Sequence, residues 1–180
     1  MKRIVAAFVL VLVLGALAAV MIATLGLYDF GADAPHWAPV EQIIGFARNR
    51  AVSMRAASIT PPPFTAAMAA DGASDYDAMC TSCHLAPGME ENEMRPGLYP
   101  APPRFERLAA LGAARQFWVI KHGIKMSGMP AWGRTHSDTE IWNMVAFLQA
   151  LPGMTPAAYQ AATKVAQGHH DMDHMDMDKH

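Results

Sequence analysis

The run Cys80-Thr81-Ser82-Cys83-His84 decides how the rest of the chain is read. A Cys-x-x-Cys-His pentapeptide is the attachment signature of covalently held haem. Two thiols at this spacing can each add to one vinyl group of haem b, giving two thioether links. The adjacent imidazole then lies under the iron as proximal ligand. Two other chemistries use closely spaced cysteines. A thiol–disulfide redox pair has no use for the following His and belongs in a βαβ setting that this chain lacks. A structural zinc site wants further cysteines or a close His pair, and the chain has 2 Cys in all. Haem attachment consumes both, so no disulfide framework remains.

A second stretch, Gly128-Met129-Pro130-Ala131-Trp132, offers a thioether sulfur. Such a sulfur is the usual sixth ligand of a six-coordinate c-type haem and raises its reduction potential. With these two motifs in this order, residues 64–152 resemble the class I cytochrome c family. The resemblance implies an all-α domain of three to five helices around one covalent haem c. It implies that Cys80 and Cys83 carry the thioethers, that His84 is the proximal iron ligand and that Met129 is the distal one. Met126 and His122 are the competing distal candidates. Met126 lies one turn earlier without the following Pro, and His122 would make a bis-His haem. In the family a helix with Gly and an aromatic leads into the attachment motif and is crossed by the last helix; Gly72 and Tyr76 stand eight and four residues before Cys80. Those spacings put them on one helical face with it.

The N-terminus sets the compartment. Lys2 and Arg3 precede an uncharged apolar run over residues 4–27. A membrane-spanning helix needs about 20 such residues, whereas the apolar core of a cleaved signal peptide has roughly 7–15. Ala16-Leu17-Ala18 fits a cleavage site, but the apolar character continues well beyond it. The expectation is an uncleaved anchor in the cytoplasmic membrane, with the basic end inside and the haem domain on the periplasmic, outer side. The formal net charge of -2 lacks the basic excess that nucleic-acid binding needs. The expected division is 1–28 anchor, 29–63 stalk and linker, 64–153 cytochrome domain and 154–180 tail.

Within the stalk, Pro35 and Pro39 read as breakers. Helical spacing follows, with Val40, Ile43, Ile44, Ala47, Ala51 and Met54 on one face and Arg48, Arg50 and Arg55 largely off it. Such a helix can lie on a membrane surface or pack on its own domain. Pro61-Pro62-Pro63 is a stiff spacer. The position after His84, where many family members have Gly, holds Leu85; Pro87 and Gly88 supply turn residues. The proximal His needs a backbone carbonyl for its Nδ1–H, from Pro87 or from the later Pro-rich strap around Tyr99 to Phe105. Arg104 in that strap reads as exposed or as a propionate partner. Phe117, Trp118 and Ile120 are expected around the haem. Ser137 to Glu140 form a capping box for a last helix with Ile141, Val145 and Leu148 as its core stripe.

The tail holds His169, His170, Met172, His174, Met175, Met177 and His180. Imidazole suits Cu(II) and thioether Cu(I), so copper is the tentative ligand there. With two protein ligands on the iron and no open position for a small-molecule substrate, the expected role is one-electron transfer between redox proteins rather than catalysis. Arg115, Lys121, Lys125 and Arg134 are the expected docking cations for an acidic oxidase, dehydrogenase or cytochrome. The alternative is a copper-handling protein whose haem is the redox partner of the tail.

Overall fold

The computed structural model describes residues 1–164, and all regular structure among them is helical. The expected copper ligands from His169 to His180 lie outside the described residues. The chain forms two compact units, Met1–Trp37 and the chain from Ala38 onward.

In the first unit, α1 spans Lys2–Thr24 with mean hydropathy 3.0 and buries none of its side chains. At 1.5 Å per residue its 23 residues match the hydrocarbon thickness of a bilayer. A short aromatic knot follows: the Tyr28 ring lies 5.0 Å from Phe30 and 4.9 Å from Trp37.

The second unit begins with α2 (Ala38–Ala56), which packs on α6 (Ala113–His122). Pro39 sits in the first turn of α2 rather than before it, where its missing N–H leaves no bond unmade. The packed side of α2 also differs from the expected stripe. Val52 and Ala56 are buried, while Ile43, Ile44 and Met54 face solvent. The proline segment after Ile59 turns the chain back, so α2 is part of the haem-domain unit and not a free stalk.

Helix α3 (Ala66–Met79) opens at Thr65, whose Oγ1 accepts the Met68 N–H at 3.2 Å. It runs directly into the short α4 (Thr81–His84). Helix α7 (Asp138–Ala150) has the expected capping box: Ser137 Oγ accepts the Glu140 N–H at 3.3 Å and Glu140 Oε2 accepts the Ser137 N–H at 2.6 Å. A cap of this kind contributes about 1 kcal/mol. Helices α3 and α7 make the principal crossing. A β-carbon on Gly72 would collide with the Asn143 carbonyl and stand 2.6 Å from Met144 N, so only Gly allows the two backbones to meet. Tyr76, Ile141, Met144, Val145, Phe147 and Leu148 fill the space around that contact. Each such side chain contributes about 1.5–3 kcal/mol by burial.

The core continues past the expected boundary at 153. Residues 156–164 are helical (α8 here), with Tyr159 and Thr163 buried. Tyr159 Oη donates to Asp77 Oδ1 on α3 at 2.6 Å. Burial, with that bond adding to it, holds the phenol well above its ordinary range. The first part of the expected tail is therefore domain structure. The sequence offers a helix around residues 156–165; what it does not show is that Tyr159 docks this helix on α3.

Candidate functional site

The attachment motif is built as a continuation of α3 followed by a sharp exit. Thr81 Oγ1 donates to the Asp77 carbonyl at 2.7 Å, stitching α4 to the helix before it. Leu85, next in line, has φ 60 and ψ -178. That region is nearly exclusive to Gly and costs a larger residue on the order of 1–3 kcal/mol. Two things hold it: the Leu85 side chain is fully buried, and its carbonyl accepts the Tyr76 Oη–H at 2.7 Å. Tyr76 thus locks the very turn at which Leu85 takes a conformation that favours Gly.

His84 Nδ1 lies 2.7 Å from the Pro103 carbonyl. A carbonyl only accepts, so Nδ1 carries the proton and Nε2 keeps its lone pair. Burial depresses the His84 pKa below its ordinary value; the Pro103 bond opposes this and the charge of Arg95 reinforces it. The result is a neutral imidazole with a free ligand nitrogen. Of the two carbonyl sources open in the sequence, the strap supplies it and Pro87 does not. Arg95 braces the strap further: Nη1 donates to the Cys83 carbonyl at 2.7 Å and to the Pro102 carbonyl at 3.0 Å, while Nε pairs with Glu91 at 2.8 Å. Its side chain is 11% exposed, so these are charge-assisted bonds shielded from water. Nothing in the sequence distinguishes Arg95 from an ordinary loop arginine.

The three distal candidates separate cleanly. Met129 and both cysteines line one cavity with His84. Met126 is 82% exposed, and the His122 ring packs on Trp118 at 4.8 Å; neither lines that cavity. Met129 sits at the base of a self-closed loop. Its N–H is 3.2 Å from Ser127 Oγ, which donates to the Ile124 carbonyl at 2.7 Å, and the Ile124 N–H returns to the Met129 carbonyl at 3.2 Å. Gly123, with φ +65, starts the loop; a β-carbon there would stand 2.7 Å from the Met129 carbonyl oxygen.

The cavity has a volume of about 380 Å³, within the range of small-molecule and cofactor sites. Its walls are mostly apolar: Ile120, Ile124, Leu108, Leu148, Trp132 and the strap prolines. The phase of α6 differs from expectation. Ile120 faces the cavity, but Phe117 stacks on Trp142 at 4.1 Å and Trp118 on His122. Val119, Gln116 and Arg115 take their place on the cavity side.

The expected docking cations are likewise divided. Lys121 is paired with Asp138 at 2.6 Å, and Arg115 turns its Nε inward, buried and without a hydrogen-bond partner among the described residues. Lys125 and Arg134 of the four stand exposed. Arg104 is engaged outside the cavity, with Glu91 at 3.3 Å and Glu106 at 3.6 Å. Burial pushes the Cys80 thiol up to about 12, with the charges of Asp75 and Cys83 adding to it. It is therefore a neutral thiol at ordinary pH, suited to addition rather than to a thiolate metal site. Among the described residues there is no group of three or more His, Cys, Asp or Glu that could hold a metal ion.

These residues fit a large flat apolar ligand with anionic groups and one coordination site. The neutral imidazole nitrogen, the two thiols, the apolar walls and an orphaned guanidinium nitrogen all belong to haem c chemistry. Residues 67–148 match the family model described as cytochrome C oxidase, cbb3-type, subunit III. No curated protein matches the chain, and no solved structure does.

Proposed function

We propose that this chain, a c-type cytochrome by its family match over residues 67–148, carries single electrons between redox proteins while tethered to the cytoplasmic membrane by α1. One observation carries the reading: a neutral His84 with a free Nε2 shares an apolar cavity with Cys80, Cys83 and Met129. Cys80 and Cys83 would hold the haem covalently, and His84 and Met129 would supply its iron ligands. The haem, when bound, supplies a one-electron iron couple. The chain's own work is to keep that couple six-coordinate, dry and fixed. His84 is oriented by Pro103, which also raises its ligand strength. The apolar walls keep water from the iron, and a thioether ligand favours the reduced state. Two strong protein ligands leave no position for a substrate, which favours outer-sphere transfer over catalysis.

The family's description as an oxidase subunit makes a membrane oxidase a natural partner class, and the anchor keeps the haem near such complexes at high effective concentration. Lys125 and Arg134, both exposed, supply positive charge for a brief encounter with an acidic partner. The basic end of α1 at Lys2 and Arg3 favours a haem domain outside the cytoplasm.

The test is an anaerobic redox titration of the full-length protein in detergent, followed optically. A single one-electron wave with low-spin six-coordinate spectra in both states is expected. A five-coordinate high-spin haem, or rapid turnover with peroxide, would assign the chain to catalysis and overturn the reading.

A further inference from the structure

The cavity lining contains two guanidinium groups and not a single carboxylate. Arg115 comes from α6, and Arg48, with Asn49 beside it, comes from α2, a helix that lies wholly outside the family stretch. Cations at an apolar wall are costly unless an anion meets them. Three other cations around the site have carboxylate partners: Arg95 and Arg104 share Glu91, and Lys121 holds Asp138. Arg115 Nε has none among the described residues, though it is buried. Haem carries two propionate carboxylates on one edge, so two guanidinium groups lining one cavity match its charge in number as well as in sign. We infer that Arg48 and Arg115 bind the haem propionates, and that α2 is a built-in cover over the propionate edge.

This inference rests on the haem reading above. It also accounts for the packing of α2, which turns Arg48 rather than its Ile43 and Ile44 stripe toward the domain. Guanidinium is suited to the task, being always charged and matching a carboxylate with two parallel donors. Cations held against the propionates lower the negative potential at the iron and favour the reduced state. Arg48 and Arg115 are positioning and tuning residues, since neither touches the iron.

The experiment uses the full-length, haem-loaded protein and three variants: Arg48→Gln, Arg115→Gln and Arg104→Gln. Covalent haem is first quantified, and then the equilibrium potential and the propionate bending mode in the resonance Raman spectrum are measured. Arg48→Gln and Arg115→Gln should each lower the potential. The reduced-to-oxidised ratio at a fixed poise should fall by up to about tenfold, about 59 mV for a one-electron couple. Both should shift the propionate mode, and Arg104→Gln should change neither. If Arg115→Gln fails to load haem, Arg115→Lys should load it and stay closer to the wild-type potential than Arg48→Gln does. Haem-loaded Arg48→Gln and Arg115→Gln with unmoved potential and propionate mode would overturn the inference alone. A wild-type protein without covalent haem would overturn the reading on which it rests.

Discussion

The two sides of the cavity are built on different principles. On the His84 side, three separate stretches of chain are tied together: α3 through Tyr76 and Asp77, the turn through Leu85 and Cys83, and the strap through Pro102 and Pro103. On the Met129 side, the described bonds are local to residues 123–130 and run between Ile124, Ser127 and Met129. A ligand held by a cross-braced frame has one position. A ligand held by a single small loop can leave and return without unfolding the domain. The contrast teaches that, on the proposed ligation, His84 is placed by the fold as a whole, whereas Met129 is placed by one local loop.

That comparison can be broken in a definite order. The largest effect belongs to the cysteines: the double change Cys80→Ala with Cys83→Ala should abolish covalent haem, read by haem staining after denaturing electrophoresis. Full staining would remove the basis of the whole assignment. Next comes Met129→Ala, which should lose the weak near-infrared iron–thioether band and lower the potential. Met126→Ala should keep both, and the opposite pattern would move the adjustable ligand to an exposed side chain.

A smaller effect tests the frame itself. Arg95→Leu removes charge-assisted bonds to two carbonyls and should cost about 2–3 kcal/mol in denaturant unfolding. Ser127→Ala, on the loop side, should cost about 1 kcal/mol or less but let an external ligand such as imidazole displace the thioether faster. Equal stability losses would mean that the two sides are not built differently. The smallest effect concerns Leu85. Both Leu85→Ala and Leu85→Gly lose the buried side chain, but only Gly is at ease at φ 60. Leu85→Gly should therefore be the more stable of the two by about 1 kcal/mol, the reverse of the usual order. Thermal unfolding of the pair decides it.

The sequence made the motif-bearing parts legible because their chemistry needs fixed spacings. Cys80, Cys83 and His84 in one pentapeptide, Met129 before Pro130, Gly72 on one helical face with Cys80 and the Ser137–Glu140 box all declare themselves locally. The parts that stayed hidden depend on partners distant in sequence. Pro103 matters only because the strap passes His84, and Arg95 only because it reaches the Cys83 and Pro102 carbonyls. The stripe of Ile43, Ile44 and Met54 left open whether α2 lies on a membrane or packs on its own domain; in the structure the stripe faces solvent and Val52 and Ala56 make the packed side. Helical spacing shows that a face exists, but which face is covered depends on where the proline segment lets the chain return. Helix α8 was readable as a helix, but its place in the domain was not, because it rests on the Tyr159–Asp77 bond to a residue 82 positions away.

The Gly72 crossing also has a meaning in time. Helix α3 is at the N-terminal end of the haem domain and α7 near its C-terminal end, so a growing chain presents Cys80 to His84 long before its crossing partner exists. Contacts between segments so far apart form late, because the intervening loop must be closed first. Leu148 of α7 is one wall of the cavity, and that wall is the last to arrive. The site is therefore open on the α7 side while the thiols are first exposed, and it closes when α7 docks.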